Sequence, residues 1–554
     1  MKINWIKFLL CSAWFMSMNT TAQDLVIAYK ANKVDVNNKC KDSINVDIQG
    51  TRVFVTSLFK SHETEVSIKG TCPNGRFVLL SKGQSKINLE GLKLTSHEGA
   101  PLWFKNKKRV KVIAKKGTYN ELCVDEITDT ATQKSSIIFA KDKLKLAGKG
   151  ELKLIAKADG VKGINVKEDL IIDDITLDIE TLGQNLGRDT TSFGFGGPGF
   201  GGPGFEGGFP PFGGFGHSDI EGDTVSHHGP VFGGPGFNMD EMPEEMKAQF
   251  EEMRKRFDEA REKGEMPDFN GLGFGGPGFG GPGFGGPEGA HGFGGFGFGG
   301  GESGDPDEPG GYGGKERYMG KTKGIKAMGQ VIINSGCVTV KTVSAGAEGI
   351  EGKQGVTING GEVHVDAIDD AINANAPIIF NGGKVFAESH NNDAVDANYG
   401  SGMLSFGPSM GKNSNKTEEG EPDPAISIRG GEVYAWSHLG NPEEGLDCDF
   451  TPLEIKGGTI FTLGGGMGEM PSVPDSNSAT QPTILLLGLN IEKGETIQFV
   501  ENDKVVYSFT APMNYKNSAS IVTHPAFQRG HSYLLKCKAG ERPFTFDENF
   551  MVVR

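Results

Sequence analysis

The sequence predicts an all-β chain, a parallel β-helix (a solenoid) interrupted by one long insertion and closed by a small C-terminal β module. Two observations carry this. An acid–small–aliphatic phrase recurs as Glu348-Gly349-Ile350, Asp370-Ala371-Ile372, Asp393-Ala394-Val395 and Glu444-Gly445-Leu446. A turn-and-strand phrase recurs as Asn359-Gly360-Gly361-Glu362-Val363, Asn381-Gly382-Gly383-Lys384-Val385, Arg429-Gly430-Gly431-Glu432-Val433 and Lys456-Gly457-Gly458-Thr459-Ile460. A period in the twenties holding only short strands is the mark of a repeat array.

Within one repeat the apolar residues alternate: Val356 and Ile358, then Val363 and Val365, then Ile372. Alternation is period-two β structure, and three such runs per repeat suit three strands per coil. The Gly-Gly pair marks a corner that requires positive φ. Stacking then predicts two interior columns, Ile325, Ile350, Ile372, Val395 and Leu446, and Val331, Val356, Ile378, Ile426 and Leu453.

In chain order, residues 1–22 read as a signal peptide: Lys2 and Lys7, an apolar run from Phe8 to Met18, and Thr20-Thr21-Ala22 before Gln23. The chain is therefore expected to be exported, whether periplasmic, cell-surface or secreted, with no later membrane span. Residues 23–84 read as an N-terminal β cap or first coils and 85–186 as the first part of the helix. Residues 187–321 form a Gly/Phe/Pro-rich insertion whose composition predicts disorder. Within it, Met246, Phe250, Met253, Phe257 and Ala260 make a helical stripe near 243–263, a candidate for a protein partner or self-association. The second part of the helix spans 322–478 with a loop insertion at 400–423, and 479–554 form the C-terminal module.

The net charge of −15 argues against nucleic acid as a partner and favours cations. Of the cysteines after the leader, none makes a CxxC metal knuckle. Cys40 and Cys72 could pair in an oxidising compartment, whereas Cys337 and Cys448 are expected as small apolar residues of the helix.

Acids that recur once per coil must stack about 4.8 Å apart. Glu348, Asp370, Asp393 and Glu444 form one such column, and Glu351, Asp396 and Asp447 another. Like charges so spaced repel by about 1 kcal/mol even with bulk-water screening. Calcium, which takes six to eight oxygens in flexible geometry, would compensate. The expected ligands are Asp366, Asp369, Asp370, Asn391, Asn392, Asp393, Asp396 and Asn398. The alternative is solvated turn acids balanced by Lys162, Lys326 and Lys353. Tyr399, Tyr434, Trp436 and His438 are candidates for an apolar platform against a sugar ring, or for simple packing.

Gly349-Ile350-Glu351-Gly352-Lys353, Ile358-Asn359-Gly360-Gly361 and Asn392-Asp393-Ala394-Val395-Asp396-Ala397-Asn398 resemble the carbohydrate-binding domain-containing protein family, secreted bacterial β-helices that bind cellulose and pectin. Leu446-Asp447-Cys448-Asp449-Phe450 and Gly464-Gly465-Gly466-Met467 resemble its closing coil, and Ile521-Val522-Thr523-His524-Pro525 its C-terminal module. The resemblance covers about 85–183 and 322–540 and leaves out the Gly/Phe/Pro insertion. It implies a right-handed parallel β-helix like that of pectate lyases, bound calcium, and binding of cellulose-like or acidic, pectin-like polysaccharide. The expected function is a non-catalytic glycan-binding protein. The alternatives are a calcium-dependent polysaccharide lyase with Lys353 as base, Lys326 second, and a surface scaffold or adhesin.

Overall fold

A computed structural model describes residues 24–127, 136–185, 322–398, 424–448, 451, 453–465, 472–474 and 478–554. The leader, the 187–321 insertion with its 243–263 stripe, the 400–423 loop and Tyr399 lie outside the described residues.

The described residues are all β, without a helix, and no helix among them is long and apolar enough to cross a membrane. Each repeat contributes one strand to each of three parallel ladders. The first ladder runs through Lys162–Val166, Ile325–Ala327, Ile350–Gly352, Ile372–Ala374, Val395–Ala397 and Leu446–Asp447. The second runs through Leu170–Asp173, Val331–Ile333, Val356–Ile358, Ile378–Phe380, Ile426–Ile428 and Leu453–Ile455. The third joins Ile175–Thr181, Gly336–Thr342, Glu362–Ala367, Lys384–Ser389, Glu432–Ser437 and Thr459–Leu463. Strands on either side of residues 186–321 pair directly in all three ladders.

Register follows hydrophobicity because a one-residue slip would turn every aliphatic outward. Ile325, Ile350, Ile372, Val395 and Leu446 are aligned partners, as are Val331, Val356, Ile378, Ile426 and Leu453. Both columns are buried and belong to one continuous apolar cluster with residues of the third ladder. Truncating one of these side chains leaves a cavity that close packing cannot refill. Ile372→Ala is expected to cost about 2–5 kcal/mol, read from the urea midpoint.

The second glycine of each pair has positive φ: Gly361, Gly383, Gly431 and Gly458. A Cβ on Gly383 would lie 2.7 Å from the Gly361 carbonyl oxygen of the preceding repeat. The glycines therefore stack as a column of their own.

At the N-terminal end two antiparallel hairpins, Leu25–Tyr29 with Val34–Asn38 and Ile44–Gln49 with Arg52–Ser57, lead into the parallel ladders. At the other end Thr459–Leu463 pairs antiparallel with Tyr515–Thr523, which also pairs with Thr483–Ile491. Thr496–Glu501, Lys504–Thr510, Ser532–Cys537 and Gly540–Thr545 form a separate four-stranded antiparallel sheet.

Cysteine placement departs from expectation. Cys40 and Cys72 are free thiols: Cys40 Sγ lies against Asp24 and Cys72 Sγ against the Ala31 carbonyl. Cys448 is buried in the core, but Cys337 is half-exposed. Its neighbour Val338 takes the inward position, so alternation turns Cys337 outward.

Candidate functional site: an acidic column with a basic head

The turn leading from the third ladder into the first, together with the strand it enters, carries the charged residues. Two positions before each buried aliphatic, register aligns Lys323, Glu348, Asp370, Asp393 and Glu444. One position after it, register aligns Asn165, Lys326, Glu351, Asn373, Asp396 and Asp447. Both columns start basic or neutral and become acidic. The predicted column of Glu351, Asp396 and Asp447 is thus interrupted by Asn373, whose amide spaces the two carboxylates.

At the head the charges compensate one another. Lys323 Nζ lies 2.6 Å from Glu348 Oε1 and 2.7 Å from Glu351 Oε2, while Lys353 pairs with Glu351 Oε1. Glu351 is only 1% exposed. Burial pushes its carboxyl up, but Lys323, Lys326 and Lys353 together outweigh this and hold it at about 2. Burial likewise opposes the charge on Lys323, and Glu348 and Glu351 reverse the balance and raise it. Lys353 also donates to Asn375 Oδ1 at 3.2 Å. Doubly tied in this way, Lys353 serves as a counter-ion.

Further along the column amide, hydroxyl and backbone groups donate to the carboxylates. Asn373 Nδ2 donates to Asp370 Oδ2 at 2.8 Å and to Asp396 Oδ2 at 2.9 Å, and Asn398 donates to Asp396 Oδ2 at 2.5 Å. Asn392 Nδ2 donates to Asp369 Oδ1 at 2.9 Å. Asp393 Oδ1 accepts the Glu444 backbone N–H, and Ser472 donates through its backbone to Glu444 and through its hydroxyl to Asp447. Asp370 is 4% exposed, and among the described residues its buried Oδ1 has no hydrogen-bond partner, nor has Glu348 Oε2. Carboxylate oxygens of Glu348, Asp369 and Asp370 lie within 4.8 Å of one another.

A buried carboxylate oxygen with no donor costs several kcal/mol unless it is protonated or meets a cation. Burial, then the charges of Asp396, Asp369, Glu348 and Asp393, raise the Asp370 carboxyl well above the usual carboxylate range. Burial and then Asp447 do the same to Asp393, and burial raises Glu443 beside them. This donor set, oxygen-only and rich in carboxylates and amides, fits a hard cation such as calcium.

The sign of the resulting pH dependence follows. Asp370 and Asp393 favour their protonated forms in the fold, so the stability they contribute is complete below the unfolded carboxyl value of about 3.9. It is lost as pH rises through their raised values. Glu351 acts oppositely, contributing above about 4.3 and losing that contribution as pH falls towards 2. Without divalent cation, thermal melts should therefore show a melting temperature that falls as pH rises from about 4 through the raised carboxyl values. A rise over that range would contradict the assignment.

Asp366 stands apart from these residues. It lies on the outer side of the third ladder, where its carboxylate pairs with Lys341 at 2.6 Å and His390 at 2.8 Å. The side-chain direction alternates along Glu362–Ala367, and this sets Asp366 outside with its own partners. Asn391 is exposed, with its backbone N–H bonded to the Ile368 carbonyl.

The expected sugar platform is also rearranged. Trp436 is 7% exposed and packs in the apolar cluster of the C-terminal module. Tyr434 is half-buried, stacked on Phe386 at 5.2 Å and Phe509 at 5.9 Å. His438 pairs with Glu388 at 2.5 Å. The outward aromatic stack is instead His364, Phe386 and Tyr434, with the first two rings 4.5 Å apart and Lys384 over Phe386 at 5.1 Å. His364 and Phe386 are visible in the sequence two residues after each Gly-Gly-Xaa step, aligned with Tyr434. Lys323 stands two before Ile325, as Glu348 stands two before Ile350.

No curated protein matches the chain. Among solved structures it is similar to a polysaccharide lyase-like protein from C. thermocellum, a gadolinium derivative, at 16% identity and a TM-score of 0.32. That match covers 65% of this chain and 93% of that one. Residues 50–190 and 311–394 match the model of the carbohydrate-binding domain-containing protein family, the family that the repeat phrases resemble.

Proposed function

We propose that this chain is an exported, non-catalytic carbohydrate-binding protein that holds calcium on its acidic column and recognises polysaccharide there. The observation that carries the reading is the buried Asp370 Oδ1, which has no hydrogen-bond partner among the described residues and stands beside the carboxylates of Asp396, Asp369, Glu348 and Asp393. Calcium at that place relieves the repulsion and offers open coordination positions to the carboxylates of an acidic, pectin-like glycan. The rings of His364, Phe386 and Tyr434 are half-buried and cover one another's faces, so the stack offers a sugar an apolar surface of ring edges. We further infer that the three ladders close as a right-handed parallel β-helix, since their buried sides share one core. Tethering of Lys353 by Glu351 and Asn375 argues against a free base there and so against the lyase reading. Export rests on the apolar leader, and the exported chain is expected to begin at Gln23.

A glycan array with and without calcium tests the function. Binding of uronate-rich polysaccharide that disappears with chelator is expected, with no ultraviolet-absorbing unsaturated product on polygalacturonate. Calcium-independent binding, or product formation, would overturn it. The Asp370→Asn variant separates charge relief from ion binding. It should melt higher than the parent in chelator and gain little when calcium is added, whereas the parent gains clearly.

A further inference from the structure

A second cluster of metal-binding side chains sits on the outer side of the third ladder. Register places Asp366, Glu388 and Trp436 side by side, and Ser389 beside Ser437. The next residues, His390 and His438, are held by backbone bonds to the Ala367 and Ser389 carbonyls of the preceding repeats. Their rings lie 4.4 Å apart and tilted. Donor atoms of Glu388, His390 and His438 all fall within 4.8 Å of one another. His438 Nε2 is 2.5 Å from Glu388 Oε1, and His390 Nε2 is 2.8 Å from Asp366 Oδ1. All four side chains keep about a third of their surface, so an ion from solvent can reach them.

We propose that Glu388, His390 and His438 form a zinc-class transition-metal site that clips neighbouring repeats together on the outer face. Two imidazoles and one carboxylate are a borderline donor set, suited to zinc and unsuited to calcium, which prefers oxygen alone. Asp366 is the positioning residue: by accepting from one ring nitrogen of His390 it fixes the tautomer and ring orientation. Lys341, 2.6 Å from the other Asp366 oxygen, balances that carboxylate. Three protein ligands leave one coordination position for water or a ligand. This site is independent of the calcium reading, since its donors and its ion differ.

Calorimetric titration of zinc chloride into the calcium-saturated full chain, made without a polyhistidine tag, tests this. A zinc event is expected that is lost in the His390→Ala/His438→Ala variant and weakened about 10–100-fold in Asp366→Asn. It should persist in His364→Ala, a histidine of the same ladder that is bonded to Glu362. Calcium titration and the circular-dichroism melt of each variant report folding. Cobalt added to the unaltered chain should give the visible absorption of a nitrogen-ligated, four-coordinate ion. A zinc event unchanged in the double variant, or cobalt that keeps only the faint pink of the hydrated octahedral ion, would overturn the proposal.

Discussion

Glu351→Ala is expected to destabilise the chain by about 3–5 kcal/mol, the usual cost of leaving buried charges without their partner. Glu351 is the counter-ion that Lys323, Lys326 and Lys353 share, and Lys323 is almost completely buried. Removing the carboxylate leaves Lys323 facing Glu348 alone, with two further ammonium groups nearby. The loss would appear as a lower urea midpoint with an unchanged slope. Glu351→Gln should restore shape without restoring charge and remain nearly as damaging. Lys353→Ala, which removes the most exposed of the three lysines, should cost far less. An alanine variant as stable as the parent would mean that the basic head is solvated and that its charges do not interact.

The second large effect lies in the glycine column. Gly383→Ala places a Cβ at positive φ and 2.7 Å from the Gly361 carbonyl oxygen. Backbone strain and overpacking, each about 1–3 kcal/mol, together predict a loss of roughly 2–6 kcal/mol. The carbonyl it meets accepts the Lys384 backbone N–H at 2.8 Å, so it cannot move without disturbing the next repeat. Gly382→Ala, one residue earlier, meets the Asn359 carbonyl at 2.9 Å but has no positive φ, and should be milder. Equal loss at both positions would contradict the role assigned to φ.

The ladders were legible because their signal is periodic. Ile350, Ile372 and Val395 repeat at a spacing that fixes register, and burial then fixes which way each side chain points. The acid column was legible for the same reason, since Glu348, Asp370 and Asp393 keep a constant offset from those aliphatics. What escaped depends on neighbours in space. Trp436 appears in the sequence as an available ring, yet the C-terminal module packs over it. Asp366 sits only three residues before Asp369, but strand alternation sends it to Lys341 and His390. The meeting of His390 with His438 is hidden by the 400–423 segment, which breaks the period between them. Cys40 and Cys72 offered a pairing that the hairpins at the N-terminal end do not make.

The central claim is that a hard cation satisfies the carboxylates around Asp370, and calcium titration calorimetry tests it most directly. The unaltered chain should bind calcium with measurable heat, and that heat should vanish in the Asp370→Asn/Asp393→Asn variant while the variant stays folded. No calcium heat in the unaltered chain, together with a melting temperature indifferent to chelator at neutral pH, would contradict it.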